Sequence, residues 1–201
     1  MSLTDLLGGS MKQQVIGMLA QKLGVNEQTA TSAVNIALPL LLNGLNKNTA
    51  TPEGADALHQ TIQAKHDGSI LDNLSSLLQT TTASQEQDSN GILKHILGPN
   101  QDAAHSVIGS ASGINANQSQ QVLQLLAPVL MGSLGKQQQA NNHDVNSLAG
   151  LVQQTTQTQQ AQAPDLGNII SQFMGGAAST DSNQDTGGAP DLGGLLGNLL
   201  K

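Results

Sequence analysis

Cysteine is absent from the 201 residues, so disulfides, thiol catalysis and cysteine metal sites are excluded. That absence alone does not choose between a reducing and an oxidising compartment. Tryptophan, tyrosine and arginine are missing too, and Phe173 is the sole aromatic residue. The core must therefore be built from Leu, Ile, Val, Ala and Met, with few bulky anchors to specify it. Charge is scarce as well: 10% of residues are Asp, Glu, Lys or Arg, against a usual share of about 25%. The formal net charge is -7, and every basic residue is a lysine. The N-terminal segment has neither a basic stretch nor a long apolar run, so no signal peptide is predicted. Nor does any apolar run approach the ~20 residues of a membrane span. The longest, Ile36 to Leu42, is interrupted by Pro39. The expectation is a soluble, cytoplasmic protein with no membrane span.

What is present is a repeat. Gly24 to Lys47 lies on Gly113 to Lys136 with a constant offset of 89 residues and no gap. Gly24, Asn26, Pro39, Leu41 and Leu45 meet Gly113, Asn115, Pro128, Leu130 and Leu134. These are turn and core residues, not reactive ones, so the match speaks to architecture and hardly at all to chemistry.

The periodic segments are helical. Met11, Val15, Met18, Leu19 and Leu23 share one helix face. Ser10 with Gln13 predicts a capping box at its start, Gly24 a stop, and Asn26 the cap of the next helix. Proline lacks an N–H and crowds the carbonyl four residues back, so a kink or break is predicted at Pro39 and again at Pro128. Thr51-Pro52-Glu53 reads as cap, first residue and first-turn acid of a further helix carrying Ala55, Leu58 and Ile62. Asn100 to Ser112, weakly amphipathic through Ala104, Val107, Ile108 and Ala111, opens the second copy's long helices, and Leu148, Leu151 and Val152 continue it. No sustained period-two alternation competes.

The predicted class is thus all-α: a tandem duplication of a multi-helix unit with proline-bent, Leu-rich helices. The expected organisation is a first helical repeat over 1–80, a polar linker over 81–90 and a second repeat over 91–174. A disordered Gly/Ser/Asp linker over 175–189 and a C-terminal amphipathic segment over 190–201 follow. Within that end, Pro190-Asp191-Leu192-Gly193 repeats Pro164-Asp165-Leu166-Gly167. Leu195, Leu196, Leu199 and Leu200 then form a short apolar helical face on a flexible tether.

Leu93-Lys94-His95-Ile96-Leu97-Gly98, Ser112-Gly113-Ile114, Leu125 through Gly132, and the Gly/Leu-rich end Leu192 through Gly197 together resemble the bacterial YidB-like family, domain of unknown function 937. The resemblance covers most of the second copy and the tail, and the first copy more weakly. It implies a bacterial, all-helical protein and supplies no catalytic residue.

Chemistry-bearing constellations are thin. The helix–turn–helix corners at Gly24 and Gly113 would direct Gln28 and Thr29, or Asn117 and Gln118, at base edges. Nucleic-acid affinity, however, rests on basic contacts to phosphate, and none lies between Ile96 and Gly135. A structural corner is expected, and no nucleic-acid partner. His59 and His66 stand seven residues apart, ~10 Å along a helix, too far for one ion; with Asp56 nearby, His59 is the only acid–base candidate, chosen on proximity. Asp181 to Gly187 resembles the start of a calcium loop, but its glycine falls one place late and Leu192 occupies the position of the bidentate Glu. No metal or cofactor is implied.

The expected function is a non-catalytic helical interaction or assembly module, self-associating or meeting a protein partner through apolar helix faces. Leu192, Leu195, Leu196, Leu199 and Leu200 are its expected contact residues, with Pro39 and Pro128 as structural bends. The competing reading is a carrier of an apolar small molecule or acyl chain in a cleft between the bent helices.

Overall fold

Asn26 and Asn115, 89 residues apart, open the two longest helices of the computed structural model, which describes residues 9–65, 68–72, 83–141 and 145–162. The Asn26 side chain accepts from the backbone N–H of Thr29 at 2.8 Å. Asn115 accepts from the N–H of Gln118 at 2.9 Å, and the Gln118 carboxamide oxygen accepts from the N–H of Asn115 at 3.0 Å. Each side chain satisfies donors that a helix start leaves without partners. The helices so begun are α2, Glu27–Asn48, and α7, Ala116–Asn141.

Each is preceded by a shorter helix that stops at a left-handed glycine: α1, Ser10–Leu23, at Gly24 (φ 66°) and α6, Gln101–Ser112, at Gly113 (φ 75°). At Gly24 the N–H of Val25 reaches the Ala20 carbonyl at 3.0 Å and that of Gly24 reaches Gln21, a paired closure of the helix end. Gly113 makes the simpler single bond, to Gly109 at 2.9 Å. The start of α1 departs from expectation. Gly9 is its N-cap, with extended backbone and no side-chain bond, and Ser10 already lies inside the helix. Glycine serves at an N-cap at a cost of only a few tenths of a kcal/mol, so no capping box forms there.

The remaining elements are α3, Pro52–Lys65; α4, Ser69–Asp72; α5, Ala83–Leu97; a single 3-10 turn, Gly98–Asn100; and α8, Val145–Gln162. Helix α3 opens as its sequence predicts, with Thr51 Oγ1 accepting from the N–H of Gly54 at 3.2 Å and Pro52 first in the helix. The stretch 81–90, expected as a linker, is helical from Ala83 onward, and Ser89 within it is buried. Polarity along that stretch is one face of α5; its other face carries Ile92, Leu93 and Ile96 into the core. Among the described residues the protein is all-α, with no strand.

Neither proline breaks its helix. Helices α2 and α7 run through Pro39 and Pro128 without interruption. The carbonyl that loses its donor at Pro39 belongs to Asn35, an exposed residue. The flanking Ala37, Leu38, Leu40, Leu41 and Leu42 are all buried. Burial of several aliphatic side chains, each contributing roughly 1.5–3 kcal/mol, outweighs the ~3 kcal/mol that an interior proline costs.

One continuous aliphatic core draws on helices from α1 to α8. Helix α2 packs against α1 but also against α6 and α8; α7 packs against α6 and α5 and also against α3 and α4. Leu19, Leu41 and Leu45 and, far along the chain, Leu93, Leu123 and Leu130 sit at 0–2% exposure within it. The Gln118 side chain donates to the Leu23 carbonyl at 2.9 Å, stitching the end of α1 to the start of α7. No described helix is long and apolar enough to cross a membrane.

Candidate functional site

Helices α3 and α5 lie on either side of a cleft of about 220 Å³. Gly54, Leu58, Thr61 and Lys65 line it from α3, four positions on one helix face; Asp88, Gly91, Ile92, His95 and Ile96 line it from α5. Leu45 of α2 and Met131 of α7 close its floor. Leu45, Leu58, Ile92, Ile96 and Met131 are all buried, so its depth is apolar, while Lys65, Asp88 and His95 are exposed along its edges.

Both ends are tied. At one, the Lys65 ammonium stands 3.7 Å from an Asp88 carboxylate oxygen, an exposed pair that contributes little. At the other, the Asn48 carboxamide donates to the backbone carbonyls of His95 and, at 3.4 Å, Ile96. These carbonyls lie in the last turn of α5, where helix geometry leaves acceptors free. Lys65 at the end of α3 thus meets the early part of α5, and the cleft's walls run antiparallel. From Gly54 to Lys65 the trough extends ~16 Å, eleven helical rises. Gly91 is the gap in the α5 wall: a Cβ placed there meets nothing within 4 Å.

A second depression of about 370 Å³ opens between α1, α5 and α7, with Lys22, Glu86, Asn90, Asn117, Gln120 and Gln124 among its lining. Its walls are mainly carboxamides, two of them bonded to each other, Gln124 Nε2 to Asn90 Oδ1 at 2.9 Å.

The polar residues singled out in the sequence do not converge. His59 is held by two glutamines: Gln138 Nε2 lies 2.9 Å from its Nδ1 and Gln63 Nε2 3.0 Å from its Nε2. A neutral imidazole carries a proton on one nitrogen and cannot accept at both. The Gln138 Oε1 is buried with no partner. Turning the exposed Gln63 carboxamide over, a change nearly invisible in shape, sets its Oε1 to accept from the His59 Nε2–H and leaves Nδ1 to accept from Gln138. His59 is therefore a cross-brace from α3 to α7. Asp56 is exposed on the same helix. Gln118, a base-reading candidate, spends its side chain on the α7 cap and on Leu23, while Gln28 and Asn117 are exposed. His105 has a buried Nδ1 without a partner; burial holds its pKa below the usual histidine value, and the Asp102 carboxylate partly opposes that shift. Burial likewise lowers Lys12. Among the described residues no three His, Cys, Asp or Glu side chains group as metal ligands.

Leu192, Leu195, Leu196, Leu199 and Leu200, with His66 and the segment Asp181 to Gly187, lie outside the described residues. The cleft residues were legible as core positions only. Their joint role needed the juxtaposition of α3 and α5, and Gly91 stood at the edge of a stretch that reads as a linker in sequence.

The profile of a family described as bacterial protein of unknown function (DUF937) matches residues 5–137. The match spans the first copy and reaches into the second, ending before the Gly/Leu-rich tail. No curated protein and no solved structure matches the chain.

Proposed function

The chain belongs to this DUF937 family of bacterial proteins of unknown function, and from its geometry we propose a non-catalytic helical interaction module whose α3/α5 cleft receives an amphipathic helix. The observation that carries the reading is the cleft itself, a trough ~16 Å long with an apolar floor and polar edges. Helix-in-groove recognition asks for this shape, with anchors at i, i+3, i+4 and i+7 on the incoming segment.

The size of the cleft favours side chains over a free ligand. Its ~220 Å³ falls below the ~300–1,000 Å³ of pockets that enclose small molecules. An apolar cavity of ~150 Å³ takes a benzene-sized guest, so this one has room for about two leucine side chains. Two buried leucines contribute roughly 3–6 kcal/mol before ordering costs, while a millimolar Kd corresponds to about 4.1 kcal/mol. With no Trp, Tyr or Arg to act as hot spots, the contact is of modest affinity and readily exchanged.

The repeat at an offset of 89 residues supports reading the two halves as copies of one packing unit. Removal of residues 190–201, the chain's own Leu-bearing segment, is expected to shift its association state in sedimentation velocity or its recovery of a protein partner. An unchanged sedimentation profile together with unchanged recovery would refute the reading.

A further inference from the structure

We propose that the α3/α5 cleft is occupied in cis by the chain's own C-terminal segment, Leu192–Lys201, so that the module rests closed on itself. This deepens the docking reading above and depends on it. Three observations carry it. The segment presents Leu192, Leu195, Leu196, Leu199 and Leu200 at i, i+3, i+4, i+7 and i+8, one face of a helix. Ten helical residues are ~15 Å long, which matches the ~16 Å trough from Gly54 to Lys65.

The third is reach. Helix α8 ends at Gln162, six residues beyond Thr156, whose hydroxyl lies 3.4 Å from the Leu42 carbonyl. Leu42 is three residues from Leu45 on the cleft floor. A coil of as many residues as lie between 163 and 191 would span about 30 Å, roughly twice the ~14 Å radius of gyration of a unit this size. A short tether holds its end at millimolar effective concentration. At micromolar protein the same segment from a second copy is outcompeted by orders of magnitude, which commits the occupant to cis.

The composition supplies a clean assay. With no Trp or Tyr in the chain, Leu196→Trp places a lone fluorophore in the segment. Its emission in the full-length protein is expected to be blue-shifted, shielded from acrylamide and independent of protein concentration. Gly91→Leu, added to that background, fills the gap in the α5 wall and abolishes the shift. Its Cβ has open space, and replacing a mid-helix glycine favours the helix, so circular dichroism should report an intact fold. Leu199→Asp in the segment reaches the same end point with every described residue untouched. Solvent-exposed emission in the parent reporter overturns the proposal. So does a shift that survives both Gly91→Leu and Leu199→Asp, or one that grows with protein concentration, which marks a trans contact. Should removal of 190–201 alter association while the reporter stays exposed, the cis occupant fails and the docking reading stands; should removal alter nothing, the docking reading itself fails.

Discussion

Gly44 packs α2 tightly against Ile96 of α5, and Gly44→Ala should destabilise the protein although alanine is the better helix former. A Cβ at Gly44 would stand 2.6 Å from the Ile96 carbonyl oxygen and 2.8 Å from Ile96 Cγ2. The first of these is backbone, so a rotamer change on Ile96 cannot relieve it. Nor can α2 slide away freely. Leu41, Leu42 and Leu45 beside it are at 0–2% exposure, and Asn48, one turn on, is bonded to the same carbonyl. Overpacking of this kind costs roughly 1–3 kcal/mol, against which the removal of a mid-helix glycine returns about 0.5–1 kcal/mol. The net loss is about 1–2 kcal/mol, or about 2–8 °C in Tm for a chain of this length. Gly17 in α1 is the control, since a Cβ there meets nothing within 4 Å. Gly17→Ala should raise the unfolding free energy by about 0.5–1 kcal/mol on propensity alone. Thermal and urea unfolding of the two variants, followed by circular dichroism, should therefore move in opposite directions. A Gly44→Ala protein as stable as the parent would refute the close packing of α2 on α5, and with it the cleft that this contact helps to shape.

Asn115→Ala removes the side-chain half of the α7 cap and should lower the unfolding free energy from urea titration by about 1 kcal/mol, whereas Asn115→Asp should largely preserve it; equal losses would show that the cap contributes nothing. Acidification should expose His105. Its pKa in the folded protein is depressed by burial, so folding favours the neutral ring. That contribution is complete above the unfolded value near 6.5 and is lost as pH falls through the lower folded value. His105→Gln should flatten the decline of unfolding free energy from neutral pH into the acid range relative to the parent, and parallel curves for the two proteins would contradict the assignment.

The local signals were legible in the sequence. Gly24, Asn26, Thr51, Gly113 and Asn115 act through groups within a few residues of themselves, and each stands where its chemistry places it. The apolar stripes that predicted Val15, Leu19, Leu58, Ile62, Leu148 and Val152 as core positions are buried. Ala111 is the exception: it completes the α6 stripe in sequence yet is exposed. Ser10 misled because Gly9, a tolerated N-cap without a side chain, opens the helix one residue earlier. Of the kink or break predicted at Pro39 and Pro128, the break does not occur, because a proline's cost is local and fixed while the burial that offsets it depends on which helices lie alongside.

The candidate site was not legible. Leu45, Leu58, Gly91, Ile96 and Met131 come from four helices, and no spacing along the chain announces that they share a cleft. The Gln138–His59 brace and the Asn48–His95 bond likewise join residues 79 and 47 positions apart.

Sequence by itself determined that this chain is helical, where most of its helices begin and end, and which aliphatic side chains leave water, because those properties follow from short-range sterics, backbone hydrogen bonding and periodicity. Tertiary structure alone decided that helices distant along the chain interleave around one core and that α3 and α5 stand apart over an apolar trough. Hydrophobic burial rewards any partner of suitable shape, and only the packed arrangement, with a glycine at 44 and an open space at 91, selects which partner that is.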